Sequence, residues 1–265
     1  MLEIAVAAGL VVLFSGSAIL GSVIRAKVPE HHRSGDTIEV IQLVMSLLVT
    51  FAAIVLGLLT TSVKSDYDRA EQDRVQFAGR LTQLDRCMRN YGAGSELVRS
   101  QLRSYTAAVI ASTWSSEPPP RGVTYPDVSS MARVGANPVL ANIINTMGVE
   151  IRRLDPADDF HRKIADDCYQ TYRQVLNDRW SVIEDVYSTM PAPFFFAVTF
   201  WMAIIFVGFG LRAPSVPLVW IMVAFCIVSV TSALLIILDL NMPYGGLFRI
   251  SSVAMRTALA HMMEP

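Results

Sequence analysis

The most constraining feature of this 265-residue chain is a set of four uncharged runs, each long enough to cross a lipid bilayer. The runs occupy residues 4–24, 40–63, 186–211 and 213–238. At 1.5 Å per residue, about 20 helical residues cover the roughly 30 Å of hydrocarbon in a bilayer. The composition agrees, because 52% of the side chains are apolar and the mean hydropathy is +0.42. We therefore expect four transmembrane helices in contact with lipid.

The polar residues are concentrated between the second and third runs. Residues 64–190 contain 16 of the 22 basic and 17 of the 23 acidic residues, which is typical of a water-exposed domain. Prolines at 191 and 193 predict that the third span begins near Phe194, and a turn of about five residues predicts a hairpin with the fourth. The expected organisation is a first transmembrane hairpin at 1–63, a helical soluble domain at 64–190, a second transmembrane hairpin at 191–240 and a C-terminal turn with a short amphipathic segment at 241–265.

Helical periodicity predicts the elements of the insert. Apolar residues at three- and four-residue steps after Tyr67, interrupted by Arg74, indicate that the second span continues outward as an amphipathic stalk that ends at Gly92. Ser95 can cap the next helix, and Asp155-Pro156 predicts the start of the last helix of the insert. No strand pattern of useful length occurs, so we expect an all-α membrane protein. Residues 247–263 could lie along the membrane interface or pack on the soluble domain.

Several functional classes are disfavoured by composition. A net charge of −1 argues against nucleic-acid binding, which needs a basic surplus. The sequence has no catalytic or phosphate-binding motif, so we predict that the protein is not an enzyme. Its three cysteines form neither a disulfide framework nor a metal-binding pair, and its four histidines lack metal-ligand spacing. We therefore expect no metal and no cofactor.

The second span carries a polar stripe. Small or weakly polar residues recur along it at three- and four-residue steps, namely Gln42, Ser46, Thr50, Ala53, Gly57 and Thr61. One interpretation is a pore wall, in which hydroxyl and amide groups face passing ions and apolar neighbours form a constriction. The other is helix packing, because small residues let helices approach closely in lipid, and this pattern alone favours packing. The candidate pore-lining residues are Gln42, Ser46, Thr50, Gly57 and Thr61, with Glu39 and Lys64 at the pore mouths.

Two ways of counting the basic residues give opposite membrane orientations. Short segments on the side of the insert carry Arg249 and Arg256, and those on the opposite side carry Arg25, Lys27, Arg33 and Arg212. This count places the insert outside, whereas counting all flanking residues gives seven against four and places it in the cytoplasm. Unpaired thiols suit a reducing compartment, so we expect a cytoplasmic insert. In an oxidising periplasm Cys87 and Cys168 could instead pair, and that bond would report the orientation.

Several segments resemble the bacterial bestrophin-like domain family, and the resemblance covers nearly the whole chain. Its most specific pieces are Leu238-Asp239-Leu240 followed by Pro243-Tyr244-Gly245-Gly246, then Arg249 and Ser251-Ser252, together with Tyr67-Asp68 at the start of the stalk. The resemblance implies a protein of the bacterial inner membrane that is distantly similar to bestrophins. These are pentameric anion channels in which the second membrane helix lines the pore and a helical cytosolic domain extends it.

On this basis we expect a homo-oligomer, by resemblance a pentamer, that passes small inorganic ions such as chloride. The acidic calcium-binding cluster of animal bestrophins and the proline in their second helix have no counterpart here, so calcium gating is not carried over. The alternative is a non-conducting membrane scaffold or signalling protein whose helical domain docks a partner.

Overall fold

The computed structural model of the chain describes residues 2–27, 35–128, 136–187, 192–214 and 216–264, and this part of the chain contains no β-strand. Its eight helices are α1 (Leu2–Lys27), α2 (Gly35–Tyr91), α3 (Glu96–Thr113), α4 (Pro138–Arg152), α5 (Asp159–Tyr187), α6 (Ala192–Arg212), α7 (Pro217–Leu240) and α8 (Val253–Met263). Helices α1, α2, α6 and α7 are long and apolar enough to cross a membrane. The predicted class, an all-α protein with four membrane helices and a helical insert between the second and the third, is confirmed.

Helix α2 is the longest element and contains both the second span and the predicted stalk. It runs without interruption for 57 residues. Beyond the apolar run it buries Phe77, Leu81 and Leu84 at helical spacing. The helix ends where Gly92 takes a φ of +82°, a left-handed conformation that glycine adopts without steric cost. The predicted continuation and end of this helix are therefore confirmed.

Two predicted helix starts differ from the structure. Ser95 precedes α3, but its hydroxyl donates back to the carbonyl of Gly92 at 2.8 Å and does not cap the helix. Helix α5 begins at Asp159 and not after Asp155-Pro156, because Asp158 accepts a hydrogen bond from the backbone N–H of His161 at 2.8 Å. An Asp-Pro pair suits a turn as well as a first helical turn, so the cap that forms decides where the helix begins.

The chain divides into two compact units, and the first, here called the membrane unit, comprises Met1–Ser65 and Met190–Met242. Its core includes Phe14, whose ring centroid lies 5.1 Å from that of Phe206. Helices α1 and α6 approach closely at two glycines. A Cβ atom added to Gly21 would lie 2.0 Å from the carbonyl oxygen of Val207, and one added to Gly210 would lie 1.9 Å from that of Ala18. Small residues at these positions therefore allow the first and third spans to pack closely.

The second unit, here called the polar unit, comprises Asp66–Thr189 and Pro243–Pro265. Helix α3 lies at its centre, with fully buried side chains such as Leu102 and Ile110. The C-terminal helix α8 packs on this core through Met255 and Met262. The indole N–H of Trp114 donates to the carbonyl of Ile250 at 2.8 Å. Of the two placements considered for the C-terminal segment, packing on the helical domain is therefore the one adopted.

Candidate functional site

The polar stripe of the second span is exposed along its whole length in the single chain. Every member of the stripe has an exposed side chain or, at Gly57, an exposed backbone. Met45 and Ala52 instead pack into the core of the membrane unit. At about 100° per residue, Met45 and Ala52 lie roughly 140–160° around the helix from Thr50. The stripe therefore lies on the side of α2 that is turned away from the core of its own subunit.

The hydroxyl groups of the stripe bond to the helix itself. Ser46 donates to the carbonyl of Gln42 at 2.9 Å, Thr50 donates to that of Ser46 at 2.8 Å, and Thr61 donates to that of Gly57 at 2.9 Å. Each hydroxyl has one hydrogen, so these bonds leave the oxygen lone pairs directed away from the helix. The site is thus a smooth surface of low polarity. At Gly57 this surface borders open space in the single chain, because an added Cβ at this position would meet no atom within 4 Å.

One end of the stripe contacts an arginine from another span. The Oε1 atom of Gln42 accepts a hydrogen bond at 3.1 Å from Arg212, at the end of α6. Glu39 is also exposed at this end of α2, and Lys64 is exposed at the other end of the span. Sequence reasoning used Arg212 only to count charges. Its contact with Gln42 was not predictable, because the two residues are 170 positions apart.

A buried arginine forms the centre of a second cluster, located in the polar unit. The guanidinium carbon of Arg74 lies 4.8 Å from the ring centroid of Tyr244 and 5.2 Å from that of Trp114. Its Nη2 atom donates to the Tyr244 hydroxyl oxygen at 2.7 Å. Burial raises the pKa of Tyr244, although the charge of Arg74 opposes this rise. The sequence feature that pointed to this cluster is Arg74 itself, which interrupts a series of apolar residues at helical spacing.

Two carboxyl groups complete this cluster. Burial, followed by the charge of Asp73, raises the pKa of Asp185 to about 6, against the opposing charges of Arg69 and Arg74. The nearby charge of Asp73 favours the protonated, neutral form of Asp185. The cluster can therefore change its charge just below neutral pH. In the part of the chain that the structure describes, no three His, Cys, Asp or Glu side chains come together as metal ligands.

Two of the three cysteines are joined. Cys87 of α2 and Cys168 of α5 form a disulfide, with 5.5 Å between their Cα atoms. The expectation that these thiols are unpaired is therefore wrong, and the argument from free thiols for a cytoplasmic domain no longer holds. The pairing depends on how α2 packs against α5 across 81 positions of sequence, which periodicity within each helix does not encode.

The architecture and the exposed stripe define a class of protein: a four-span, all-helical membrane protein with a polar face on its second span. The Bestrophin-like domain family matches residues 12–255. The chain belongs to this family, so the resemblance drawn from its motifs is confirmed. No curated protein matches the chain.

Solved structures support the assignment at the level of fold. A bacterial bestrophin homologue from Klebsiella pneumoniae with a Trp-to-Ala mutation shares 15% identity at a TM-score of 0.67, over 98% of this chain and 96% of its own. The same homologue with an Ile-to-Thr mutation shares 17% identity at a TM-score of 0.62, over 96% and 99%. A membrane protein with a Leu-to-Ala mutation gives 16% identity and 0.60, over 96% of each chain. At such identities the likeness establishes the fold alone.

Proposed function

We propose that this protein is a subunit of an oligomeric channel for small inorganic ions, chloride among them, with α2 lining the pore. The observation that carries the proposal is the exposed polar stripe along the second span of a bestrophin-like chain. Membership of the family also motivates a homo-oligomer, a pentamer by resemblance, in the bacterial inner membrane. The pore wall is assigned to Gln42, Ser46, Thr50, Gly57 and Thr61, and the two mouths to Glu39 and Lys64.

The exposed stripe is polar, so lipid is a poor environment for it. The Oε1 atom of Gln42 is bonded to Arg212, but hydrocarbon offers no hydrogen-bond partner for its Nε2 group. The oxygen lone pairs of Ser46 and Thr50 also gain nothing from lipid. Symmetry-related copies of α2 around a water-filled axis would hydrate the amide and the hydroxyl oxygens at once. The open space at Gly57 would then be part of the lumen.

Chloride efflux from liposomes containing the purified protein tests this proposal. Thr50→Trp places a bulky ring on the stripe, whereas Val44→Trp places the same ring on an exposed position about 120° around the helix. Threonine and valine have nearly the same shape, so the two substitutions add similar volume. We expect Thr50→Trp to reduce chloride flux about tenfold or more by narrowing the lumen. Val44→Trp should leave the flux near its original level.

Chemical modification of single cysteines tests the same pore assignment without introducing a bulky tryptophan. Thr50→Cys and Val44→Cys are prepared in a Cys226→Ser background, which removes the free thiol of α7. A charged, water-soluble thiol reagent should block flux through Thr50→Cys but not through Val44→Cys. Flux at the protein-free level at all pH values, calcium concentrations and voltages would overturn the channel proposal. The non-conducting scaffold would then be the better interpretation.

A further inference from the structure

The disulfide of the polar unit bears on the membrane orientation of the whole chain. Cys168 is fully buried in the core of this unit, and Cys87 packs against the same core. Cys87 also borders an open groove lined by polar side chains, among them Gln83, Asn90 and Thr171. A thiol–disulfide exchange protein can therefore approach one of the two sulfur atoms from solvent.

Formation of this bond requires an electron acceptor. The two thiols lose two protons and two electrons as the S–S bond forms, and the disulfide of an exchange protein takes them up and becomes a dithiol. Cytosolic thiol systems keep such cysteines reduced, whereas the bacterial periplasm keeps them oxidised. A disulfide in the core of a folded domain is therefore evidence for the oxidising side of the membrane.

The structure also resolves the conflict between the two charge counts. Arg249 donates to the Ser116 hydroxyl at 2.7 Å, and Arg256 forms an ion pair with Glu117 at 3.1 Å. These arginines are thus part of a folded domain and do not belong to a short loop. Long domains cross the membrane largely regardless of their charge. The flanking residues Arg69, Arg74, Arg173 and Arg179 belong to the same domain, so outside it only Lys64 remains on this side, against four basic residues on the opposite side.

The basic residues of the short connections lie on the opposite side from the polar unit. They are Arg25 and Lys27 in the last turn of α1, Arg33 in the sequence between α1 and α2, and Arg212 at the end of α6. Positive residues in short connections remain in the cytoplasm. The charge distribution and the disulfide are independent observations, and both place the polar unit outside.

We infer that the polar unit faces the oxidising periplasm and that its Cys87–Cys168 disulfide is formed there, with both short connections in the cytoplasm. Helices α6 and α7 cross the membrane in opposite directions and return the chain to the side of the polar unit. Helix α8 therefore lies on the periplasmic side as well. This orientation is opposite to that of the cytosolic domain implied by the bestrophin resemblance. It does not depend on whether the protein conducts ions.

Cysteine accessibility in intact bacteria tests the inference on the full chain. Lys163 is an exposed residue of α5, and Val216 is an exposed residue of the connection before α7. In a Cys226→Ser background, a membrane-impermeant sulfonated maleimide should label Lys163→Cys in intact cells. It should label Val216→Cys only after permeabilisation. The reverse pattern would overturn the proposed orientation.

The native cysteines provide a second readout that needs no new residue. Cells are quenched in acid to stop thiol exchange, and free thiols are then alkylated with a maleimide that alters gel mobility. In the Cys226→Ser protein we expect no shift without a reductant and a shift by two labels after reduction. Two labels without reductant would show that the bond is absent and would overturn the inference.

Discussion

The close approach of α1 and α6 leads to a quantitative prediction at Gly210. A Cβ at this position would lie 1.9 Å from the carbonyl oxygen of Ala18 and 2.8 Å from its carbonyl carbon. Both atoms belong to the backbone of α1, so no side chain can rotate away. Ordinary van der Waals contact begins near 3.4 Å, so Gly210→Ala forces the two helices apart by roughly 1.5 Å at this point.

Two opposing effects determine the size of the change. Alanine is favoured over glycine in a helix by about 1 kcal/mol, whereas overpacking a tight contact typically costs about 1–3 kcal/mol. Contact with a backbone carbonyl belongs at the upper end of that range. We therefore expect Gly210→Ala to lower the free energy of unfolding by about 1–2 kcal/mol. The unfolding temperature should fall by roughly 3–6 °C.

Gly16 and Gly208 provide matched controls for this experiment. A Cβ on Gly16 would meet no atom within 4 Å, so Gly16→Ala should be neutral or slightly stabilising. The three atoms nearest to a Cβ on Gly208 would all belong to the flexible side chain of Met45, so Gly208→Ala should have an intermediate effect. Thermal unfolding in detergent, followed by tryptophan fluorescence, measures all three variants. Equal unfolding temperatures for Gly210→Ala and Gly16→Ala would refute the proposed backbone contact.

Two further predictions concern the Arg74 cluster. The raised pKa of Asp185, about 6, means that the folded state holds this proton more tightly than the unfolded state does. The free energy of unfolding should therefore fall as the pH rises from about 4 to 7 and Asp185 loses its proton. Asp185→Asn should remove this decrease. Urea unfolding at pH 4.5 and pH 7.5 measures the difference. A variant with the same pH dependence as the original protein would contradict this assignment. Arg74→Met should lower the free energy of unfolding by about 2–4 kcal/mol, because it removes two ring contacts and two hydrogen bonds to Tyr244. Methionine retains the volume of the side chain, so an unchanged unfolding midpoint would show that the charge contributes nothing.

Much of the architecture was predictable because it depends on local patterns. Lipid requires long apolar helices, so the four spans are evident from uncharged runs alone. The end of α2 was equally evident, since Gly92 is the residue type that a left-handed helix end favours. The start of α5 was not, because Asp155 and Asp158 are both capable caps and the sequence does not show that Asp158 accepts the capping hydrogen bond.

The candidate site was also predictable in part, namely in its local pattern but not in its tertiary contacts. Periodicity placed Gln42, Ser46 and Thr50 on one face of α2, but it could not say whether that face packs against another span of the same chain. The described structure answers this, because the core of the membrane unit takes Met45 and Ala52 from another face of the helix.

The sequence by itself determined the membrane class, the number of spans, the long second helix and the family of this protein. These features follow from hydropathy, helical period and short motifs, all of which are encoded in neighbouring residues. Only the tertiary structure decided that Cys87 pairs with Cys168, that Arg74 lies between Trp114 and Tyr244, and that α8 packs on the helical domain. These contacts join residues tens to hundreds of positions apart, and their geometry is set by how whole helices pack against one another.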